Sequence, residues 1–346
     1  MLSHNTYPFG GIQVLLVGDF CQLPPIRTVL DAGRPVYESD IFKRAFSHRI
    51  ELKEVKRQGA SEERLKKALD QLRTGKCDEE TETYFHALSR GSEEFDNPRD
   101  TVHIYFRKFP VEVHNVDVLV SLPGELLVFE SIDTGSPQYL ESTVPKFLTL
   151  KPECNVMLLF NINDHLKNGC RGRFVRVNED GQLFVYFAKV GTVCIERRTW
   201  YKYDRNGGVK ASRTQFPISP CYAITVHKAQ GLTIDRAVVH CSQEFVTGLT
   251  YVAISRVREE SALQVIGFRR KFLLPLPNAL SSLLENNSDP NLTFQCCGNV
   301  QLDDCLFQCK EYNQVEEDDR IIDCDMDDND AGTFGQLFFE ENTGQS

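Results

Sequence analysis

Residues 223–258, AITVHKAQGLTIDRAVVHCSQEFVTGLTYVAISRVR, constrain the fold more than any other part of the chain. Two short apolar runs, Ala237-Val238-Val239 and Tyr251-Val252-Ala253-Ile254, are bounded by polar and glycine-containing segments. The first reads as a strand buried on both faces and the second as a strand-to-helix junction, as in a parallel α/β sheet. His227-Lys228, Gln230-Gly231 and Ser255-Arg256 crowd the edges of these elements. Open parallel sheets bind ligands outside the carboxyl ends of their strands, so these polar pairs are candidate ligand groups.

The same pattern extends towards the N-terminus. Residues 12–17, IQVLLV, form an apolar run ended by Gly18-Asp19, and read as another buried parallel strand. Pro24 and Pro25 forbid a helix directly after it. A parallel strand needs neighbours and little sequence precedes this one, so either the first part of a domain is missing or this is an unusual start. Leu65, Ala68, Leu69 and Leu72 fall on one helical face, with Gly75 as the expected C-terminal cap. Residues 102–106 read as a strand and residues 110–122 as a helix. From residue 148, β-rich pieces at 156–160, 173–177, 183–187 and 193–196 alternate with turns such as Asn168-Gly169 and Asp180-Gly181. That predicts a small antiparallel barrel ending near Phe216, after which the α/β pattern resumes.

A net charge of −10 argues against a nucleic-acid partner until it is divided along the chain. Residues 280–346 hold 16 Asp and Glu against Lys310 and Arg320, leaving 37 basic and 33 acidic side chains in residues 1–279. A mildly basic body is compatible with a nucleic-acid groove. The acidic tail is expected to be largely disordered and is a candidate protein contact. No apolar run approaches the length of a membrane span, so no membrane partner is expected. Seven cysteines stand singly in the body and the five of the tail match no common zinc spacing, so reduced thiols and no metal site are expected.

Four clusters carry the chemistry. In Gly18-Asp19-x-x-Gln22-Leu23-Pro24-Pro25, Asp19 and Gln22 suit a nucleotide phosphate or its attacking water, and a strand end turned by two prolines fits as well. Arg57 in Val55-Lys56-Arg57-Gln58 is either a phosphate ligand or solvated surface. In His227-Lys228-Ala229-Gln230-Gly231, His227 and Lys228 can reach phosphates and Gly231 allows a close backbone approach. A solvated helix start with a turn glycine is the other reading. Arg256 follows an apolar run, and a buried guanidinium needs an anion, whether ligand or structural carboxylate.

Taken in order, GGIQVLLVGDFCQLPPI, ELKEVKRQ, ITVHKAQGLTID and YVAISRVRE closely resemble the PIF-type (petite integration frequency) DNA helicases. These are 5′-to-3′ helicases of superfamily one, related to RecD, and the likeness spans residues 8–268. The resemblance implies an α/β P-loop NTPase fold of RecA-like lobes that clamp ATP and Mg2+ between them. Residues 1–49 would be a remnant of the first lobe, residues 50–147 and 217–275 the second, residues 148–216 the inserted barrel and residues 276–346 the tail. By the same resemblance Gln22, Arg57 and Arg256 are catalytic, acting at the γ-phosphate, while Asp19, Lys228, Gln230 and Gly231 bind the nucleotide and its metal. Thr225 and His227 would contact single-stranded or forked DNA, with Lys228 able to serve either ligand. A role in DNA repair, recombination or telomere maintenance follows by analogy, in the nucleus with the mitochondrion as a second compartment.

One departure cuts against activity. The Walker A pattern GxxxxGK[ST] is absent, and Gly75-Lys76 is followed by Cys77. Without that cradle ATP loses its main anchor, so this polypeptide alone is expected to hydrolyse little or none. The expectation is therefore the C-terminal part of an ATP-dependent helicase. The alternatives are a catalytically dead module that binds single strands or regulates, and a transposon-derived helicase fragment.

Overall fold

The computed structural model describes residues 9, 12–27, 31–46, 50–89, 95, 97, 100–136, 140, 144–204 and 207–285. The chain forms α1 (Asp40–Ala45), α2 (Glu63–Thr74), α3 (Glu79–Ala87), β1 (Val102–Tyr105) and α4 (Lys108–Ser121). An antiparallel block follows: β2 (Leu127–Glu130), β3 (Ile132–Gly135), β4 (Phe147–Leu150), β5 (Asn155–Leu158), β6 (Arg171–Val177), β7 (Leu183–Phe187), β8 (Gly191–Ile195), β9 (Arg198–Tyr203), β10 (Val209–Gln215) and β11 (Ile218–Pro220). The chain then returns through β12 (Ala223–Thr225), α5 (Val226–Ala229), β13 (Ala237–His240), α6 (Leu249–Ile254), β14 (Leu263–Ile266) and α7 (Asn278–Glu285).

A four-stranded parallel sheet, ordered β12-β1-β13-β14, is the frame of the molecule. Its apolar strands are covered by helices, as two-sided burial requires. All four stripe residues of α2 are buried in that core, alongside Phe85 of α3 and Val252 of α6. Gly75 closes α2 in the left-handed conformation at φ 68°, and Lys76 N donates to Gln71 O at 3.0 Å. Asp78 caps α3 by accepting from Thr81 N at 2.8 Å.

The antiparallel strands form three sheets, β11-β5-β6-β7-β8, β3-β10-β9 and β2-β4. They begin at Leu127 rather than near residue 148, and the sheets β11-β5-β6-β7-β8 and β2-β4 share a second core that includes Leu148, Val156, Phe174, Val185 and Ile218. A buried Arg213 ties β10 to β3 through a bidentate pair with Asp133, at 2.9 and 2.7 Å. Two parallel hydrogen bonds and a carbonyl contact to Val144 satisfy the guanidinium, which makes burial of its charge tolerable.

One expectation is corrected. Residues 12–17 form no strand, and Leu15 and Val17 are 87% and 78% exposed. Apolar content alone cannot make a parallel strand, and no described strand lies beside this one to supply its hydrogen bonds. At the other end, residues 278–285, within the tail expected to be largely disordered, form α7, whose Leu280 packs with Cys21, Tyr37 and Phe42. Residues 286–346 lie outside the described residues.

At the ends of the central strands, three imidazoles pack together. His103 Nδ1 and His240 Nε2 share a hydrogen bond of 2.9 Å, and Tyr105 stacks on His240 with ring centroids 4.1 Å apart. His114 lies 4.1 Å from the His103 ring and shares a hydrogen bond with Tyr105. Burial and mutual repulsion push His103 down to about 3 and His240 down to about 4, while Asp117 opposes the smaller fall at His114. Folded values below the ordinary ~6.5 of histidine favour the fold above that pH, and the benefit is lost as pH falls towards the folded values. The urea midpoint is therefore expected to drop between pH 7 and pH 4.5, and His240→Gln to make that drop shallower. An unchanged midpoint across the range would contradict the packing described.

Candidate functional site

The turn after residue 18 is held against α6. Gln22 N donates to Asp19 O at 3.1 Å, and Asp19 Oδ1 accepts from Cys21 N at 3.1 Å. Tyr251 of α6 donates its hydroxyl to Asp19 Oδ2 at 3.2 Å, and burial with the nearby carboxylate pushes its pKa up to about 12. Arg73, at the end of α2, lies 3.6 Å from Asp19 and 3.8 Å from Glu51. Gly248 permits this approach. It precedes α6 at φ 87°, and a Cβ there would stand 2.6 Å from the carbonyl oxygen of Cys21. Gln230 Nε2 donates to Gln22 Oε1 at 3.3 Å, so the two glutamines meet across the same junction.

Beside this turn lie two arginines. Arg256 is 2% exposed, and its guanidinium donates to Val252 O at 2.7 Å, Ser255 Oγ at 2.7 Å and Leu232 O at 3.5 Å. All three acceptors are neutral. Burial first, and then Arg57, push its pKa down to about 10. Arg57 Nη1 donates to Ser255 O at 2.8 Å, and burial lowers its pKa as well. Gln58 is buried and donates to Val257 O at 2.7 Å, which fixes residues 255–257 from the other side. Two desolvated guanidiniums in mutual repulsion, with no carboxylate bonded to either among the described residues, form a place that an anion would stabilise. The phosphate end of a nucleotide fits it. Among the described residues no group of three His, Cys, Asp or Glu could hold a metal ion by itself, and a magnesium ion arriving with a nucleotide takes its ligands largely from phosphate oxygens and water.

The other end of α5 faces a different cluster. Thr225 caps this helix, its hydroxyl accepting from Lys228 N at 3.3 Å. The His227 ring stacks near Phe245 at 6.4 Å, and the Arg107 guanidinium lies 4.9 Å over Phe245. Lys108, at the start of α4, lowers the pKa of both His227 and Lys228, adding its repulsion to a larger effect of burial. Lys228 is exposed as a residue, yet packed atoms crowd its ammonium. The result is a cationic surface with a half-exposed aromatic ring, suited to a sugar-phosphate chain and its bases.

Asp19, Gln22, Arg57, Gln230 and Arg256 thus fall in one region, and Thr225, His227 and Lys228 in a second. Lys228, expected to serve either the nucleotide or the DNA, lies within electrostatic reach of Lys108. Gly231 adopts φ 82° with open space where a Cβ would point, so the backbone conformation already requires glycine there. Sequence reasoning missed Tyr251, Arg73, Gln58 and Gly248 as parts of the first region, and Arg107, Lys108 and Phe245 as parts of the second. Tyr251 was hidden inside an apolar run, and only the fold brings residues 107 and 245 together.

No protein-family model matches the chain. An ATP-dependent DNA helicase PIF1 from Danio rerio is 31% identical over 276 residues, which cover 77% of this chain and 42% of that protein. The chain therefore spans under half the length of that curated relative. The crystal structure of the Pif1 helicase from Candida albicans superposes with a TM-score of 0.71 at 30% identity, covering 82% of this chain and 70% of that one. The Bacteroides Pif1 helicase in complex with ADP-AlF3 and single-stranded DNA gives 0.67 at 27% identity, over 81% and 68%.

Gly248→Ala tests the junction. The positive φ and the clash with the Cys21 carbonyl are expected to cost about 1–3 kcal/mol. The buried Cys21 thiol should then react with maleimide faster than in the parent chain, read by peptide mass mapping. Unaltered stability and labelling would show that the turn does not lean on α6.

Proposed function

The chain belongs to the Pif1 helicase family, and we propose that it supplies the second-lobe side of an ATP-dependent, 5′-to-3′ DNA helicase. The observation that carries this reading is Arg256, a buried cation bonded only to neutral acceptors beside a second arginine. In the proposed mechanism Arg57 and Arg256 meet the γ-phosphate, Gln22 and Gln230 position the groups around it, and Gly231 brings the backbone near. Asp19 holds the turn in place through Tyr251 and Arg73. ATP, when bound, supplies phosphoryl transfer, in which such arginines contribute about 10³–10⁵ in rate. Thr225, His227 and Lys228, with Arg107, Lys108 and Phe245, grip single-stranded DNA.

The sequence holds no GxxxxGK[ST], so the two arginines can act only on a nucleotide anchored by residues other than these. That absence favours a second reading, a catalytically dead single-strand-binding or regulatory module. An in-frame GxxxxGK[ST] and Asp-Glu pair directly upstream in the genomic sequence would support the motor and remove the module. A transposon-borne helicase remains within the first reading, as does nuclear or mitochondrial genome maintenance, through repair, recombination or telomere work.

Assayed alone, the 346-residue polypeptide is expected to show no single-strand-stimulated ATP hydrolysis. Turnover abolished by Arg256→Ala would refute this. Binding of a fluorescent oligothymidylate should weaken steeply with salt, and His227→Ala with Lys228→Ala should reduce it by about tenfold at ~0.1 M salt. Affinity independent of salt would count against the proposed DNA face.

A further inference from the structure

The cationic face around α5 has charge to spare. Among the described residues, Lys67, Lys146, Arg173 and Arg270 each meet a carboxylate within 3.4 Å. Arg107, Lys108 and Lys228 make no such ion pair among those residues. Arg107 instead lies over the Phe245 ring, whose other neighbour is His227, and Lys108 repels the charge of both His227 and Lys228. An occupant of this face should be anionic, elongated enough to reach several cations, and tolerant of an aromatic surface.

The chain carries such a segment. Residues 316–330, EEDDRIIDCDMDDND, hold nine carboxylates and a single Arg320, the densest charge of either sign in the sequence. The described structure ends at Glu285, about thirty residues before this run. A linker of that length can span up to ~100 Å when extended, with a root-mean-square reach of about 30 Å for a flexible chain. Tethering makes the encounter intramolecular, so weak carboxylate contacts suffice at an effective concentration on the order of millimolar.

We propose that residues 316–330 dock on the face formed by Arg107, Lys108, His227 and Lys228 and compete there with single-stranded DNA. The competition rests on the DNA reading above, whereas the docking rests only on charge and reach. A tail that covers the face would keep the free protein off random nucleic acid and yield to a long strand, whose phosphates engage more cations than the tail can.

The test uses the full chain and a variant with all nine carboxylates of residues 316–330 changed to amides, Glu→Gln and Asp→Asn. The parent is expected to bind a fluorescent oligothymidylate about tenfold more weakly than the amide variant at low salt, with the gap closing as screening grows. A labelled peptide of residues 311–331 should bind the amide variant and be displaced by the oligonucleotide. Lys108→Glu combined with Lys228→Glu in that variant should abolish peptide binding, with circular dichroism confirming the fold. Equal DNA affinity of parent and amide variant overturns the competition while leaving the DNA reading intact. Peptide binding without any DNA binding supports the docking and overturns the DNA reading. Peptide binding that survives the double charge reversal places the tail elsewhere and overturns the proposal.

Discussion

A guanidinium taken out of water without a carboxylate to meet it is the constraint on which the rest of this structure depends. Arg256 donates to two backbone carbonyls and a serine hydroxyl, which satisfy its N–H groups, while its charge is offset only at a distance by Asp19. Such a group is costly in a finished core and reasonable at a site awaiting an anion. The surrounding geometry maintains that state. Arg57 and Gln58 bind the carbonyls of Ser255 and Val257, fixing the segment that carries Arg256 and denying it freedom to swing into solvent.

The parallel sheet explains how one short stretch reaches both regions of the proposed site. β12 runs into α5, and that helix is four residues long, so Thr225 and Gln230 flank a single turn. One end faces the cationic surface around Lys108 and the other donates to Gln22. The turn bearing Gln22 is thus linked, through Gln230 and α5, to the residues of the proposed DNA face. A motor needs the nucleotide state to bias its hold on DNA, and a rigid element shorter than two helical turns is a direct way to carry that bias.

Much of this was legible in the sequence where local pattern and tertiary demand agree. The stripe of Leu65, Ala68, Leu69 and Leu72, with Gly75 behind it, fixed α2, because a helix face that recurs every 3.6 residues has one sensible burial. Residues 12–17 carried an equally clear strand pattern and failed, since a parallel strand takes its hydrogen bonds from a neighbour that the local sequence does not contain. The partners in the site were opaque for a similar reason. Tyr251 and Asp19 are separated by more than two hundred positions, and Gly248 matters only because a carbonyl from residue 21 comes close. His103, His114 and His240 are scattered through the sequence, and only the register of β1 against β13, which pairs Tyr105 with His240 and leaves His103 two positions away, brings His103 and His240 within hydrogen-bonding reach.

Charge shows the same limit from the opposite direction. The total of −10 describes no surface that a ligand would meet, because the acidic residues cluster in the tail while the face at α5 is positive. Within that face, Lys108 makes His227 and Lys228 harder to keep charged, so the free surface is electrostatically frustrated. A polyanion relieves all of these repulsions at once, whereas a single carboxylate relieves one. This is why phosphate chains and acidic runs, which repeat their charge along a flexible backbone, suit the face better than any small anion.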